Sequence, residues 1–382
     1  MTFAISPEQR DYRAAVRAAI RAPDGAVAAN SLLAESGQYD PAWWRRISAE
    51  LCLPGLIVPE ESGGQGRPLC DLALALEEAG RALVGGHLLV SCGPVAALLG
   101  AVAPGSAALR QLAAGRARIG LALGQPPGDG ERLPAVSADR TGTGAVLTGR
   151  AATVVGAWPP EQLLIAAQRS RSDGADPLVV LVDMSSPGVR LKMHPGIDTA
   201  RPTYAAEFEE ADAPVLADGT AAGDALGRAL DVGAACVAAE SAGATAQALA
   251  DIVAFTSSRI QFGAPIGTLQ AIRHRCADLL VEAEHALTAS RYAAWTADAQ
   301  PQLFPLAASM AKAYATDAFE HAAREHLQLH GGIGFTMEHD SHVFVRRAKS
   351  CAWLFGSASW HRARLLALAR GRHGPVPPQA DA

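Results

Sequence analysis

The stretch Arg259-Ile-Gln-Phe-Gly-Ala-Pro-Ile-Gly-Thr-Leu-Gln270 lies between two long runs of helix-forming residues and cannot itself be helical. Gly263 permits a left-handed backbone, and Pro265 has no amide hydrogen with which to continue a helix. The chain must turn here, with Arg259 and Gln270 at the helix ends that flank the turn. An arginine fork and two amides beside helix termini suit a pyrophosphate and a nucleotide. A plain helix–helix turn with surface polar groups fits the same residues, and spacing alone does not choose between them. A second glycine-rich stretch, Gln328-Leu-His-Gly-Gly-Ile-Gly-Phe335, follows the next helical run. Glycines at 331, 332 and 334 let a ligand or another backbone approach closely, although such clusters also serve as simple helix stops. A helix and not a strand precedes them, so this is no dinucleotide fingerprint of the strand-turn-helix kind.

Around these segments the helical pattern covers residues 225–258, 269–297, 305–329 and 341–369. Near the other terminus, Ser6 and Gln9 have capping-box spacing around Pro7, and Tyr12, Val16, Ala19 and Ile20 follow at helical intervals. Further helices are expected over 41–51, 69–83 and 90–99, with the turn PEESGGQG (59–66) too rich in glycine to be helical. Between the two helical regions the period changes. Segments 119–123, 145–148, 163–167, 178–182 and 189–192 are short and apolar or alternating, and turn clusters such as PPGDGE and RSDGAD separate them. That punctuation predicts an antiparallel β domain ending near Pro214. The expected class is α+β: an N-terminal helical domain (1–115), a middle β domain (116–222), a C-terminal helical bundle (223–370) and a disordered tail (371–382).

A content of 49% hydrophobic residues in 382 is ample for cores in two or three domains. The net charge of -5 offers no electrostatic footprint for nucleic acid or an anionic membrane. No apolar run reaches the roughly 18 residues that span a bilayer. The opening MTFAISPEQRDYR has no basic start followed by an apolar stretch, so no secretory signal is expected. Six scattered cysteines without metal-ligand spacing read as free thiols in a reducing cytoplasm, and no metal site is expected.

Taken together, in this order and spacing, the two glycine segments resemble the acyl-CoA dehydrogenase family. Its pattern, R-x-x-F-G-x-x-[IL] with a Gln eleven residues after the Arg, falls on Arg259, Phe262, Gly263, Ile266 and Gln270. Its second pattern, Q-x-x-G-G-x-G-[FY]-x-x-E with a later Arg, falls on Gln328, Gly331, Gly332, Gly334, Phe335, Glu338 and Arg346. The α–β–α layout and PEESGGQG agree, so the resemblance covers nearly the whole chain. It implies an acyl-CoA dehydrogenase-like fold with a C-terminal four-helix bundle, FAD as cofactor and an acyl-CoA or other acyl thioester as substrate. In that family the AMP half of FAD crosses to the neighbouring subunit. By resemblance Arg259, Gln261, Phe262, Gln270, Gln328, His330, Gly331 and Gly332 would hold it in trans.

The reaction removes a proton next to a thioester while hydride leaves the adjacent carbon for the flavin, so a carboxylate base is needed. Its commonest place, seventeen residues after the Glu of the glycine segment, is Phe355 here. The alternative place in some relatives is Gly233. Neither can act as a base, and no catalytic residue is assigned. Asp231 and Glu240, nearby in sequence, read as surface or interface carboxylates. The family's T-E-P-x-x-G-S-D stretch appears as Leu123-Gly-Gln-Pro-Pro-Gly-Asp129, and its W-I-[TS]-N segment as Thr153-Val-Val-Gly156. Intact trans elements beside an eroded flavin pocket resemble the non-catalytic partner of heteromeric bacterial acyl-CoA dehydrogenases, as in steroid catabolism. That implies a heterotetramer with a second, catalytic family member, and electron-transfer flavoprotein or a similar protein as candidate acceptor. Two other expectations stand beside it: a homo-oligomeric flavoenzyme with a relocated base or altered chemistry in specialised metabolism, and a flavin-free structural protein.

Overall fold

The structure, a computed structural model, describes residues 4–20, 41–84, 88–123, 135–156, 160–170 and 177–373. The chain begins with α1 (Pro7–Ile20), whose start is fixed by a reciprocal cap. The Gln9 amide donates to Ser6 Oγ at 3.2 Å and the Ser6 amide to Gln9 Oε1 at 3.1 Å. Then come α2 (Pro41–Leu51) and α3 (Leu69–Arg81). The next helix, α4, is made of Leu88–Val90, a π turn at Ser91–Val95 and Ala96–Val102. Pro94 inside that turn lacks an amide hydrogen, which explains the widened helix. A short α5 (Ala107–Ala113) completes the region.

Among the described residues seven strands follow: β1 (Ile119–Ala122), β2 (Ala135–Thr141), β3 (Gly144–Val154), β4 (Gln162–Arg169), β5 (Pro177–Asp183), β6 (Val189–Met193) and β7 (Tyr204–Asp218). β5 pairs with both β4 and β7, so β4, β2, β3, β7 and β5 close into a barrel, with β1 and β6 attached at its sides. Most pairings are antiparallel, but β1–β4 and β2–β4 are parallel. Burial on both faces obscured this in the sequence. Leu163, Ile165, Leu178 and Val180 fill the barrel, whereas Leu164 and Val179 pack on the helices, giving an apolar run in place of alternation. Strand β2 and most of the long β7 carry too many charged residues to announce themselves as strands.

From Gly219 the chain is helical again: α6 (Gly219–Ser258), α7 (Gln270–Ala299), α8 (Phe304–Leu329), α9 (Ser341–Trp353) and α10 (Ala358–His373). The expected single helix over 341–369 is two, broken at Leu354–Ser357. The 40-residue α6 runs through the centre of the core, rich in alanine and glycine because neighbours approach its backbone. A Cβ at Gly80 of α3 would collide with the Glu240 carbonyl, and one at Gly243 with the Glu77 carbonyl. All six cysteines are free, with Cys92, Cys236 and Cys351 buried. Among the described residues no helix is long and apolar enough to cross a membrane, and no cluster could hold a metal ion. The expected disordered tail falls mostly at 374–382, outside the described residues.

Candidate functional site

Between α6 and α7 the chain forms a hairpin of β8 (Ile260–Gln261) and β9 (Ala264–Pro265). Its two turn residues are both left-handed, Phe262 at φ 53° and Gly263 at φ 80°. Two-residue hairpins favour that geometry, but phenylalanine does not. Phe262 is also 96% exposed, so nothing among the described residues repays the strain. Arg259 follows the last residue of α6, Gln270 opens α7, and both side chains are exposed. Among the described residues the Arg259 guanidinium makes no ion pair.

The second glycine segment follows α8 as a 3₁₀ turn, Gly331–Phe335. Ring contact joins it to the hairpin's helix: the centroids of Phe255 on α6 and His330 are 4.5 Å apart. Gly331 needs glycine for its φ of 66°, and Gly334 because a Cβ would strike the Leu327 carbonyl. Gly332 has neither reason: a Cβ there would meet nothing within 4 Å. Among the described residues nothing packs against it. Gln261, Gln328, Gly331 and Gly332 are exposed, and Ile260, Phe262, Ile333, Phe335 and Met337 leave apolar surface beside them. His330 differs, being buried with its Nδ1 2.6 Å from the His326 carbonyl. It props the turn from behind.

The two base positions meet. Phe355 lies in the break between α9 and α10 with φ 58°, and its ring covers Gly233 of α6. Buried Lys312 of α8 holds this break, donating to the Gly356 carbonyl at 2.9 Å and the Ala352 carbonyl at 3.3 Å. His361 Nε2, also buried, donates to the Phe355 carbonyl at 3.0 Å. The carboxylates nearby in sequence are committed elsewhere and, against expectation, are buried. Asp231 is ion-paired with Arg364 of α10. Glu240 takes Arg201 at 2.6 Å and Arg347 at 2.8 Å, and Arg347 reaches on to Asp198 at 2.7 Å. Burial alone would raise the Asp198 pKa, but Arg347 and Arg201 outweigh it and hold the carboxyl below its ordinary value. This cluster ties α6 and α9 to the segment between β6 and β7. Arg346, on which the family pattern falls, is half-buried beside Arg347. Glu338 is exposed.

Thr153-Val-Val-Gly156 ends β3 against the π turn of α4. Val155 bridges to Leu121, and Ser91 Oγ donates to the Gly156 carbonyl at 3.3 Å. Val90 fills the space where a side chain at position 156 would stand. Of the Leu123–Asp129 stretch, residues 124–129 lie outside the described residues.

Residues 6–115 match the model of the acyl-CoA dehydrogenase N-terminal domain, and residues 223–368 that of the acyl-CoA dehydrogenase C-terminal domain. Acyl-CoA dehydrogenase IpdE2 of Mycobacterium tuberculosis is 33% identical over 352 residues, covering 92% of this chain and 94% of IpdE2. A solved structure described as the Tcur3481-Tcur3483 steroid ACAD is 27% identical with a TM-score of 0.82, covering 97% of this chain and all (100%) of that one. The ChsE4-ChsE5 complex from Mycobacterium tuberculosis shares the fold, at 22% identity and a TM-score of 0.83 over 98% of this chain and 100% of that one. The chain therefore belongs to the acyl-CoA dehydrogenase family of oxidoreductases.

Proposed function

We propose that this chain is the non-catalytic subunit of a two-component acyl-CoA dehydrogenase. It completes the FAD site of an unlike partner of the same family, and the partner carries the base that desaturates an acyl-CoA. The observation that carries this reading is the contrast between the chain's two faces. The hairpin and glycine turn face outward with an arginine that makes no ion pair among the described residues, exposed amides and an open glycine. They fit the AMP half of FAD: a planar charged fork for phosphate, amides for polar edges, bare backbone for close approach. The inner face does not fit the flavin ring and an acyl chain. Phe355 and Gly233 fill each other's space, Val90 closes on Gly156, and Asp231 and Glu240 are held by arginines. The resemblance to the Tcur3481-Tcur3483 steroid ACAD supports a second chain and a steroid-derived acyl group. When bound, FAD would accept the hydride; this chain's own residues would bind its nucleotide end and order the interface.

The isolated chain should show no dehydrogenase turnover on acyl-CoAs, whereas co-expression with a family member retaining its base should give an active complex. Loss of a general base typically costs about 10²–10⁴ in rate. Turnover by the isolated chain with an ordinary electron acceptor contradicts the proposal.

A further inference from the structure

Three imidazoles gather where α8 runs into the glycine turn. The ring centroids of His326 and His330 are 4.3 Å apart, those of His330 and His339 4.4 Å, and those of His326 and His339 5.7 Å. Phe255 of α6 packs tilted against His330 and Phe344 of α9 stacks on His326, each at 4.5 Å. One buried hydroxyl joins two of the rings. Ser341 Oγ lies 2.8 Å from His326 Nδ1 and 2.9 Å from His339 Nδ1. The Ser341 amide also donates to His339 Nδ1, at 3.2 Å, so that nitrogen is an acceptor and carries no proton. The hydroxyl hydrogen then goes to His339, and His326 Nδ1 donates to the hydroxyl. The charged and titratable groups facing the cluster are Asp251 of α6, 3.6 Å from His326 Nε2, with Asp340 and His342 at the start of α9.

We propose that this cluster is a proton-sensitive latch on the Gly331–Phe335 turn: neutral, it packs the turn against Phe255, and protonated, it releases it. A proton on His339 Nδ1 would set a donor against the Ser341 amide, and a second imidazolium would face it across about 4–5 Å with one carboxylate near enough to compensate. The His330 pKa is consistent with this. Burial, with repulsion from His326 and His339, outweighs the bond to the His326 carbonyl and pushes it down to about 4. The sign follows. A histidine whose folded pKa lies below its unfolded value near 6.5 stabilises the folded turn fully above about pH 6.5, and this is lost as pH falls toward 4. The effect on flavin rests on the function proposed above; the latch itself does not.

Hydrogen exchange of the amides of 331–335 in the full chain, corrected for intrinsic rates, tests the latch. Wild type should open at least about ten-fold more at pH 5.5 than at pH 8, and His330→Gln should reduce that change. Unchanged wild-type protection, or an undiminished response in the variant, overturns the latch. Should His330→Gln fail to fold, His339→Gln serves, with a reduced response expected and an undiminished one contrary. Release of FAD from the two-chain assembly should follow the same pH curve. Opening of the turn without loss of FAD counts against the proposed nucleotide role and leaves the latch standing.

Discussion

The Phe355 ring lies so close over Gly233 that a Cβ on the glycine would come within 2.7 Å of the ring's Cδ1 and 2.9 Å of its Cδ2. Residues far apart in sequence thus address one point in space, and both are positions to which the family resemblance assigns a base. Gly233→Ala should destabilise the protein by about 1–3 kcal/mol through overpacking. Combined with Phe355→Leu, its cost should shrink, because the smaller side chain vacates the space. Denaturant titrations of both single variants and the double variant measure this. Additive costs contradict the contact.

The buried cluster of Asp198, Arg201, Glu240 and Arg347 holds the element that carries Phe355. Arg347→Met leaves two carboxylates short of a partner and should cost about 3–5 kcal/mol, seen as a lowered unfolding midpoint. Since the Asp198 pKa is depressed in the fold, its contribution is complete above its unfolded value near 4 and declines as pH falls below that. Stability of the wild type against pH should show this acid limb, and Arg347→Met should flatten it.

The layered α–β–α architecture was legible because helical and strand periods alternate along the chain. So were the two turns that carry the candidate site: Gly263 and Gly331 take left-handed backbone, a need that sequence expresses directly. What stayed hidden depends on distant residues meeting. Nothing near Glu240 announces Arg201 and Arg347, so it read as a surface or interface carboxylate and proved to be buried within the chain. The break after Trp353 was invisible because Phe355 adopts a left-handed backbone that phenylalanine rarely takes. Buried Lys312, donating to the Gly356 carbonyl, holds it there.

Arg259→Ala should lower FAD retention in the two-chain assembly by about one to two decades, the worth of a charge-assisted contact of roughly 1.5–3 kcal/mol. The exposed side chain has no ion pair among the described residues, so circular dichroism and melting temperature should not change. Retention equal to wild type would remove the nucleotide role from this residue.

Phe355→Glu should not turn the isolated chain into a dehydrogenase. A carboxylate there faces the bare backbone of Gly233 in an apolar surround, while Val90 still closes on Gly156. Acyl-CoA turnover of the variant, purified alone, should stay at background; a rate approaching that of an intact relative shows instead that the pocket is open.

Native mass spectrometry with flavin quantitation, on this chain co-expressed with a base-bearing family member, tests the central claim most directly. The account predicts a heterotetramer with one FAD for each pair of unlike chains, and no retained flavin on this chain alone. A stable homotetramer of this chain carrying one FAD per subunit would contradict it.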